Sequence, residues 1–202
     1  MKYLRLNLVN PETETLKEIA AYLKKGKIVV IPTDTIYGLS CLATSPAAIK
    51  KISLIKKRPL DKKHPFLVLV SSSSQAEKIA AISGVKNKIW KNWQKDGKPV
   101  TAIFPSRGVL AKDLDNELGN LGLRLPVSDF LRKIIKLSGV PLVSTSFNFH
   151  GQEVFADMNQ AYEFFRSRDL KPDLIVDGGL PLSAKSSVIV DLSGENEVIL
   201  RN

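Results

Sequence analysis

The 202-residue chain has a single cysteine, Cys41, and only two histidines. One cysteine excludes an internal disulfide framework and any metal site built from several thiolates, and it suits a reducing compartment. Aromatic residues make up 7% of the sequence and are not interleaved with basic ones, which weighs against a dedicated binder of single-stranded nucleic acid. No apolar run approaches the roughly 20 residues that a membrane span needs. The first 14 residues are broken up by polar side chains and Pro11, so no signal peptide is expected. Internal repeats, low-complexity tracts and linkers are also missing. Acidic residues are in deficit: 30 Lys and Arg stand against 20 Asp and Glu, a net charge of +10. That excess favours RNA or anionic substrates as partners, although a solvated lysine-rich surface produces the same number.

With 44% hydrophobic residues, a chain of this length can bury one substantial core, and two would be crowded. A cytoplasmic protein with one domain over residues 1–202 is therefore expected. Tyr3 to Leu8 alternates like a strand, and Asn10-Pro11-Glu12 then looks like an N-cap, a first-turn proline and a first-turn acid. Leu16, Ile19, Ala20 and Leu23 fall on one helical face, ended by Gly26. Ser45-Pro46 opens a second helix with Ile49, Ile52 and Ile55 on its apolar side, and Ser71 to Ser74 reads as a turn that caps a third. Helices are expected at Gln75 to Ile82, Val85 to Trp93, Ser128 to Leu137 and Asn159 to Arg166. Strands are expected at Ile28 to Ile31, Phe66 to Val70, Val100 to Phe104, Leu121 to Leu125, Leu142 to Thr145, Leu174 to Val176 and Val188 to Leu192. Strands and helices intermixed in this way imply α/β layers around a central sheet.

The densest chemistry lies in Ile31 to Leu39, I-P-T-D-T-I-Y-G-L. A buried strand that stops at Pro32 and offers Thr33, Asp34 and Thr35 at its C-terminal end is where α/β proteins build ligand sites. A plain turn, in which Thr and Asp bond their own backbone, reads equally well from these nine residues alone. Two more polar clusters follow. Lys56-Lys57-Arg58-Pro59 offers an ammonium and a guanidinium suited to phosphate oxygens, or else an exposed basic helix end. In an extended segment Lys56 and Arg58 would point to one side and Lys57 to the other. Ser144-Thr145-Ser146-Phe147-Asn148 follows the apolar Val140 to Val143, with Ser146 and Asn148 on one side of the chain.

Together these stretches resemble the YrdC-like family, whose enzymatic members are threonylcarbamoyl-AMP synthases. The family pattern runs P-T-[DE]-T-x-Y-G-L, then K-x-R-P, then S-T-S-A-N-x-S-G, then S-T-V-V-D and an arginine near the end. Here the parts stand at Pro32 to Leu39, Lys56 to Pro59, Ser144 to Gly151, Ser186 to Asp191, and Arg201, covering nearly the whole chain. The resemblance implies a three-layer α/β sandwich of the YrdC/RibB-like kind, with a strongly twisted mixed sheet between helical layers and a basic concave face. It implies a nucleotidyltransferase that makes threonylcarbamoyl-AMP and pyrophosphate from L-threonine, bicarbonate and ATP, with Mg2+ on the nucleotide. The product would serve the N6-threonylcarbamoyl modification of tRNA adenosine through downstream transfer proteins. The chain ends where the family's catalytic domain ends, so the further domain of longer members is not expected. A non-catalytic, YciO-like module that binds double-stranded RNA or tRNA is the alternative within the same fold.

Carried over position by position, the resemblance assigns Lys56 and Arg58 to the triphosphate and to catalysis. His64, Asn120, Asn148 and Arg201 join them at the nucleotide. Thr33, Thr35, Tyr37, Arg124, Ser146 and Ser186 fall to L-threonine, and Arg124 to its carboxylate. An arginine within the apolar Leu121 to Leu125 needs an anionic partner in any case. No metal ligands are assigned. Lys62, Lys63 and Arg107 are candidates for contacting RNA outside the pocket. The sequence departs from the pattern at Phe147, where the family has alanine, at Phe149-His150, at Leu69, where many members have histidine, and in a longer segment around His64.

Overall fold

The computed structural model describes residues 1–58, 66–179 and 187–202. His64, Ser186, Lys62 and Lys63 lie outside the described residues. Ten strands occur among those described: β1 (Lys2–Arg5), β2 (Val29–Ile31), β3 (Gly38–Leu42), β4 (Leu67–Leu69), β5 (Val100–Pro105), β6 (Asn120–Arg124), β7 (Leu142–Ser146), β8 (Leu174–Asp177), β9 (Val188–Asp191) and β10 (Val198–Arg201). They join into one mixed sheet in the order β1-β8-β2-β3-β7-β4-β6-β5-β9-β10. The pairs β1–β8, β8–β2, β4–β6 and β5–β9 are parallel; the other five are antiparallel.

Helices cover both faces, as the layered expectation requires. α1 (Thr13–Lys24) and α5 (Asp129–Ser138) lie on one side, packing Leu16, Ile19, Leu23, Leu131 and Ile134 against Val29, Ile31, Leu142 and Val176. α2 (Pro46–Ile55), α3 (Ser73–Ile79), α4 (Gly84–Trp93) and α6 (Met158–Arg166) lie on the other. Their Ile49, Ile52, Ile79, Trp90 and Phe165 meet Val30, Val68, Ala102, Leu123 and Val143 from the opposite strand faces. The alternation of partners along each strand is the period-2 consequence of the pleat.

The caps follow the expected chemistry at most helix ends. Ser45 Oγ accepts from Ala48 N ahead of a first-turn proline, and Ser72 Oγ accepts from Gln75 N. The start of α1 differs. It begins at Thr13 with Glu12 at the N-cap and no side-chain cap, so Asn10 does not play that part. α3 stops at Ile79, earlier than its apolar spacing suggests, because Ala80 turns extended and bridges to Ser106. Among the described residues no helix is long and apolar enough to cross a membrane.

Candidate active site

Only part of the α1/α5 face is covered. Where β4, β5, β6, β7 and β9 run past those helices, the alternate positions of each strand form the floor of an open cavity of about 460 Å3. Thr101 and Ile103 contribute from β5, Asn120, Gly122 and Arg124 from β6, and Ser144 and Ser146 from β7. Leu67 comes from β4, and Ser187 and Ile189 from β9 and the residue before it. Their neighbours Ala102, Leu121, Leu123, Val143 and Val190 point into the core beneath. The cavity is thus the uncovered half of one sheet face. The Thr33 to Gly38 turn, Arg58 and Arg201 wall it in.

The Thr33–Asp34–Thr35 turn is almost fully buried and does both things the sequence allowed: it bonds its own backbone and faces the cavity. Thr33 Oγ1 donates to Ile36 O at 2.6 Å and accepts from Thr35 N at 3.1 Å. Asp34 turns away from the cavity: its Oδ1 lies 3.1 Å from an Arg124 terminal nitrogen, both side chains being 5% exposed, and its Oδ2 accepts from Val127 N. The anionic partner that Arg124 needs is therefore Asp34, within the protein. Arg124 still lines the cavity, with Nη1 3.4 Å from Thr35 Oγ1. Its Nε is buried without a hydrogen-bond partner. Burial pulls its pKa down, Asp34 pushes it back up, and the charge of Arg201 lowers it further, leaving it below the usual value.

Lys56 and Arg58 do not share a side. α2 ends at Ile55, and Lys57 adopts a left-handed conformation, φ 54°. Lys57 N bonds Leu54 O and Arg58 N bonds Ser53 O, closing the helix with the hydrogen-bond reversal usually given to glycine. This turn sends Lys56 into the core at 1% exposure and Arg58 into the cavity wall. Arg58 Nη2 donates to Thr145 Oγ1 at 3.1 Å, and the guanidinium lies over the Phe66 ring. Burial lowers its pKa. Lys56 Nζ instead donates to Ser146 O, Ser146 Oγ, Asn148 O and Asn148 Oδ1. Burial and then the Arg58 charge bring its pKa down to about 7. Lys56 is absent from the cavity wall, as is Asn148, whose Nδ2 donates to Gln152 O. In this arrangement both side chains bond each other and the end of β7, and the shared side expected of Lys56 and Arg58 is the point corrected.

Tyr37 lines the cavity with its ring, but its hydroxyl accepts from Gly178 N and donates to Gly179 O at 2.7 Å. Burial pushes the phenol up to about 12. Arg201 does reach the cavity. A register shift between Ile199 and Arg201 on β10 re-aims it, and Nε and Nη2 donate to Ser187 O at 3.0 and 2.8 Å. Asn120, 9% exposed, is in the wall as expected. Phe147 stacks on Phe165 in the core and leaves the cavity free, and Leu69 is buried against α1 and α5. Thr101 and Ser187, paired hydroxyl to hydroxyl at 2.8 Å, were not anticipated; nor were Asn116, Ser144 and Thr145. The alternation of small or polar residues with apolar ones along β5, β6 and β7 was the available signal.

The Sua5/YciO/YrdC family model, described as telomere recombination, matches residues 21–202. A threonylcarbamoyl-AMP synthase of Pyrococcus abyssi is 28% identical over 90% of this chain, which spans 52% of that protein. One of Psychromonas ingrahamii is 30% identical over 85% of this chain and 88% of its own length. The crystal structure of Pyrococcus abyssi Sua5 complexed with L-threonine superposes with a TM-score of 0.87 at 26% identity, covering all of this chain and 57% of that one.

Proposed function

The chain belongs to the Sua5/YciO/YrdC family, and we propose that within it this protein is an L-threonylcarbamoyladenylate synthase. The observation that carries this reading is the cavity's charge. Among its described wall residues stand Arg58, Arg124 and Arg201 and no aspartate or glutamate. Three guanidiniums lining one cavity fit a small, multiply anionic substrate set better than an RNA groove, which would spread them along a surface. A triphosphate, a carboxylate and a carbamate form such a set.

The reaction asks little of acid–base chemistry. The threonine amine takes up carbon dioxide derived from bicarbonate, with loss of water, to give a carbamate. A carbamate oxygen then attacks the α-phosphorus of ATP, and the bond to the β-phosphate oxygen breaks to release pyrophosphate. Nucleotidyl transfer of this kind rests on positioning and on stabilising charge. Arg58 and Arg201, on opposite walls, would hold phosphate oxygens, and Asn120 would sit beside the nucleotide. Arg124, half-neutralised by Asp34 but with a free Nε–H, would take the threonine carboxylate. Among the described residues no group of three or more His, Cys, Asp or Glu could hold a metal, so magnesium would enter on the phosphates of the nucleotide. The relative solved with L-threonine supports that amino acid as the substrate here. The product, a reactive mixed anhydride, would be consumed by a transfer step acting on tRNA.

Purified protein should release pyrophosphate from ATP when L-threonine, bicarbonate and a divalent cation are all present. Serine and valine should be poor replacements, since one lacks the methyl and the other the hydroxyl. Equal turnover without threonine would refute the assignment.

A further inference from the structure

The hydroxyls on the threonine side of the cavity have their protons already committed. Ser146 Oγ donates to Asn148 Oδ1 at 2.7 Å. The orientation of the Asn148 amide is fixed from both ends, because Lys56 Nζ donates to its Oδ1 while its Nδ2 donates to Gln152 O at 2.6 Å. An inverted amide would set Nδ2 against the Lys56 ammonium, donor to donor, and Oδ1 against Gln152 O, acceptor to acceptor. Lys56 Nζ, with three protons for four acceptors, stands 3.3 Å from Ser146 Oγ, so at least one lone pair remains for the cavity, and no proton.

Thr35 reaches the same condition by a separate route. The Thr33 hydroxyl proton goes to Ile36 O, so in the 2.9 Å contact between Thr33 Oγ1 and Thr35 Oγ1 the donor is Thr35. Arg124 Nη1 approaches Thr35 Oγ1 at 3.4 Å, again leaving one lone pair. Ser146 and Thr35, both in the cavity wall, thus present acceptors only. A phosphate or carboxylate oxygen gains nothing there, whereas an N–H donor finds an acceptor at either residue.

We infer that Lys56 and Asn148 are positioning residues that fix the hydrogen-bond polarity of Ser146, so that Ser146 and Thr35 form an acceptor pair for the amino end of the substrate. The inference rests on the amino-acid reading of the site for its ligand, but not for the polarity itself. Lys56 acts through Asn148 as the ammonium, which offers only donors to Ser146 and Asn148. The arginines sort the anionic ends of the substrates to their own walls, and the acceptor pair sorts the nitrogen to the other.

Two measurements test this separately. Neutron diffraction from the ligand-free protein should place deuterium between Ser146 Oγ and Asn148 Oδ1; deuterium directed into the cavity overturns the proposal whatever the substrate is. Calorimetric titration with L-threonine then reads the consequence. Asn148→Ala frees the serine proton to rotate inward and should weaken threonine binding roughly ten- to hundredfold, the worth of a hydrogen bond to a charged group, with ATP affinity unchanged. Asn148→Asp keeps an acceptor for that proton but sets a carboxylate oxygen against Gln152 O where Nδ2 donated, so it should lose clearly less threonine affinity than Asn148→Ala. Equal losses in the two variants, or no loss in Asn148→Ala, overturn the proposal. A wild-type protein that binds no L-threonine removes the substrate assignment instead, and the neutron map still decides the polarity.

Discussion

Asp34→Asn is the sharpest test of how the cavity is held. The carboxylate and the Arg124 guanidinium stand 3.1 Å apart with both side chains 5% exposed. At an effective dielectric of about 20 that separation corresponds to about 5 kcal/mol of attraction, and removing one partner of a buried pair costs about 3–5 kcal/mol. The amide has nearly the shape of the acid, and its oxygen can still accept from Val127 N, so packing and that bond survive. The loss should therefore fall at the low end, about 3 kcal/mol in the free energy of urea unfolding. The same substitution leaves a bare guanidinium in a cavity built for anions, so pyrophosphate should raise the melting temperature of the variant more than that of wild type. A double-mutant cycle with Arg124→Met isolates the pair. A coupling below about 0.5 kcal/mol would mean that the two charges do not depend on each other and would refute the reasoning.

Lys57→Gly should stabilise the protein by about 0.5–1 kcal/mol in chemical denaturation: it relieves the left-handed strain at φ 54° and gives back part of the gain with the loss of the lysine–Phe149 contact. A destabilised variant would mean that the turn is held by the side chain. Gly38→Ala places a Cβ 2.3 Å from Ser144 Oγ and 3.3 Å from Thr33 Cγ2, so it should cost about 1–3 kcal/mol and weaken ligand binding with it; wild-type affinity would show that the cavity edge yields. For Lys56, burial and then Arg58 lower the folded pKa from 10.5 to about 7, so the unfolded chain binds the extra proton between those values. Stability should rise with pH from about 7 to about 9, and Lys56→Met should flatten the rise. Parallel pH profiles for the two proteins would contradict the shift.

The layers of the fold were legible because burial imposes a period. α1, α2 and α5 announce themselves by apolar residues three and four apart, and β7 and β8 by short apolar runs. β3 and β10 were not anticipated, for opposite reasons. In β3 the sequence G-L-S-C-L buries Gly38, Leu39, Ser40 and Cys41 together, so no polar face marks the pleat. In β10 all four residues are exposed, so no buried face does. β3 is placed by pairing with β7, distant in the chain, and β10 folds back on its neighbour β9; neither pairing leaves a period in the strand itself.

At the site, residue types were easier to read than directions. Arg58, Thr35, Ser146, Asn120 and Arg201 reach the cavity as the motif resemblance implied, and Arg201 depends on a register shift that only the sheet defines. K-x-R places Lys56 and Arg58 on one side only in extended chain, where residues two apart face the same way. One left-handed residue between them undoes that rule. Arg124 needs an anion, as its apolar surroundings imply, and the nearest one, Asp34, sits three residues past the end of β2, a strand that β3, β7 and β4 separate from β6 in the sheet. Both cases have the same physical root. Period and propensity report which side of an element is buried, whereas a buried charge is placed by whichever oxygen or guanidinium the tertiary fold delivers to it. A lysine encased by Ser146 and Asn148 therefore belongs to the machinery that orients the cavity, whereas Arg124, paired with Asp34 on one side, keeps its Nε–H for a substrate.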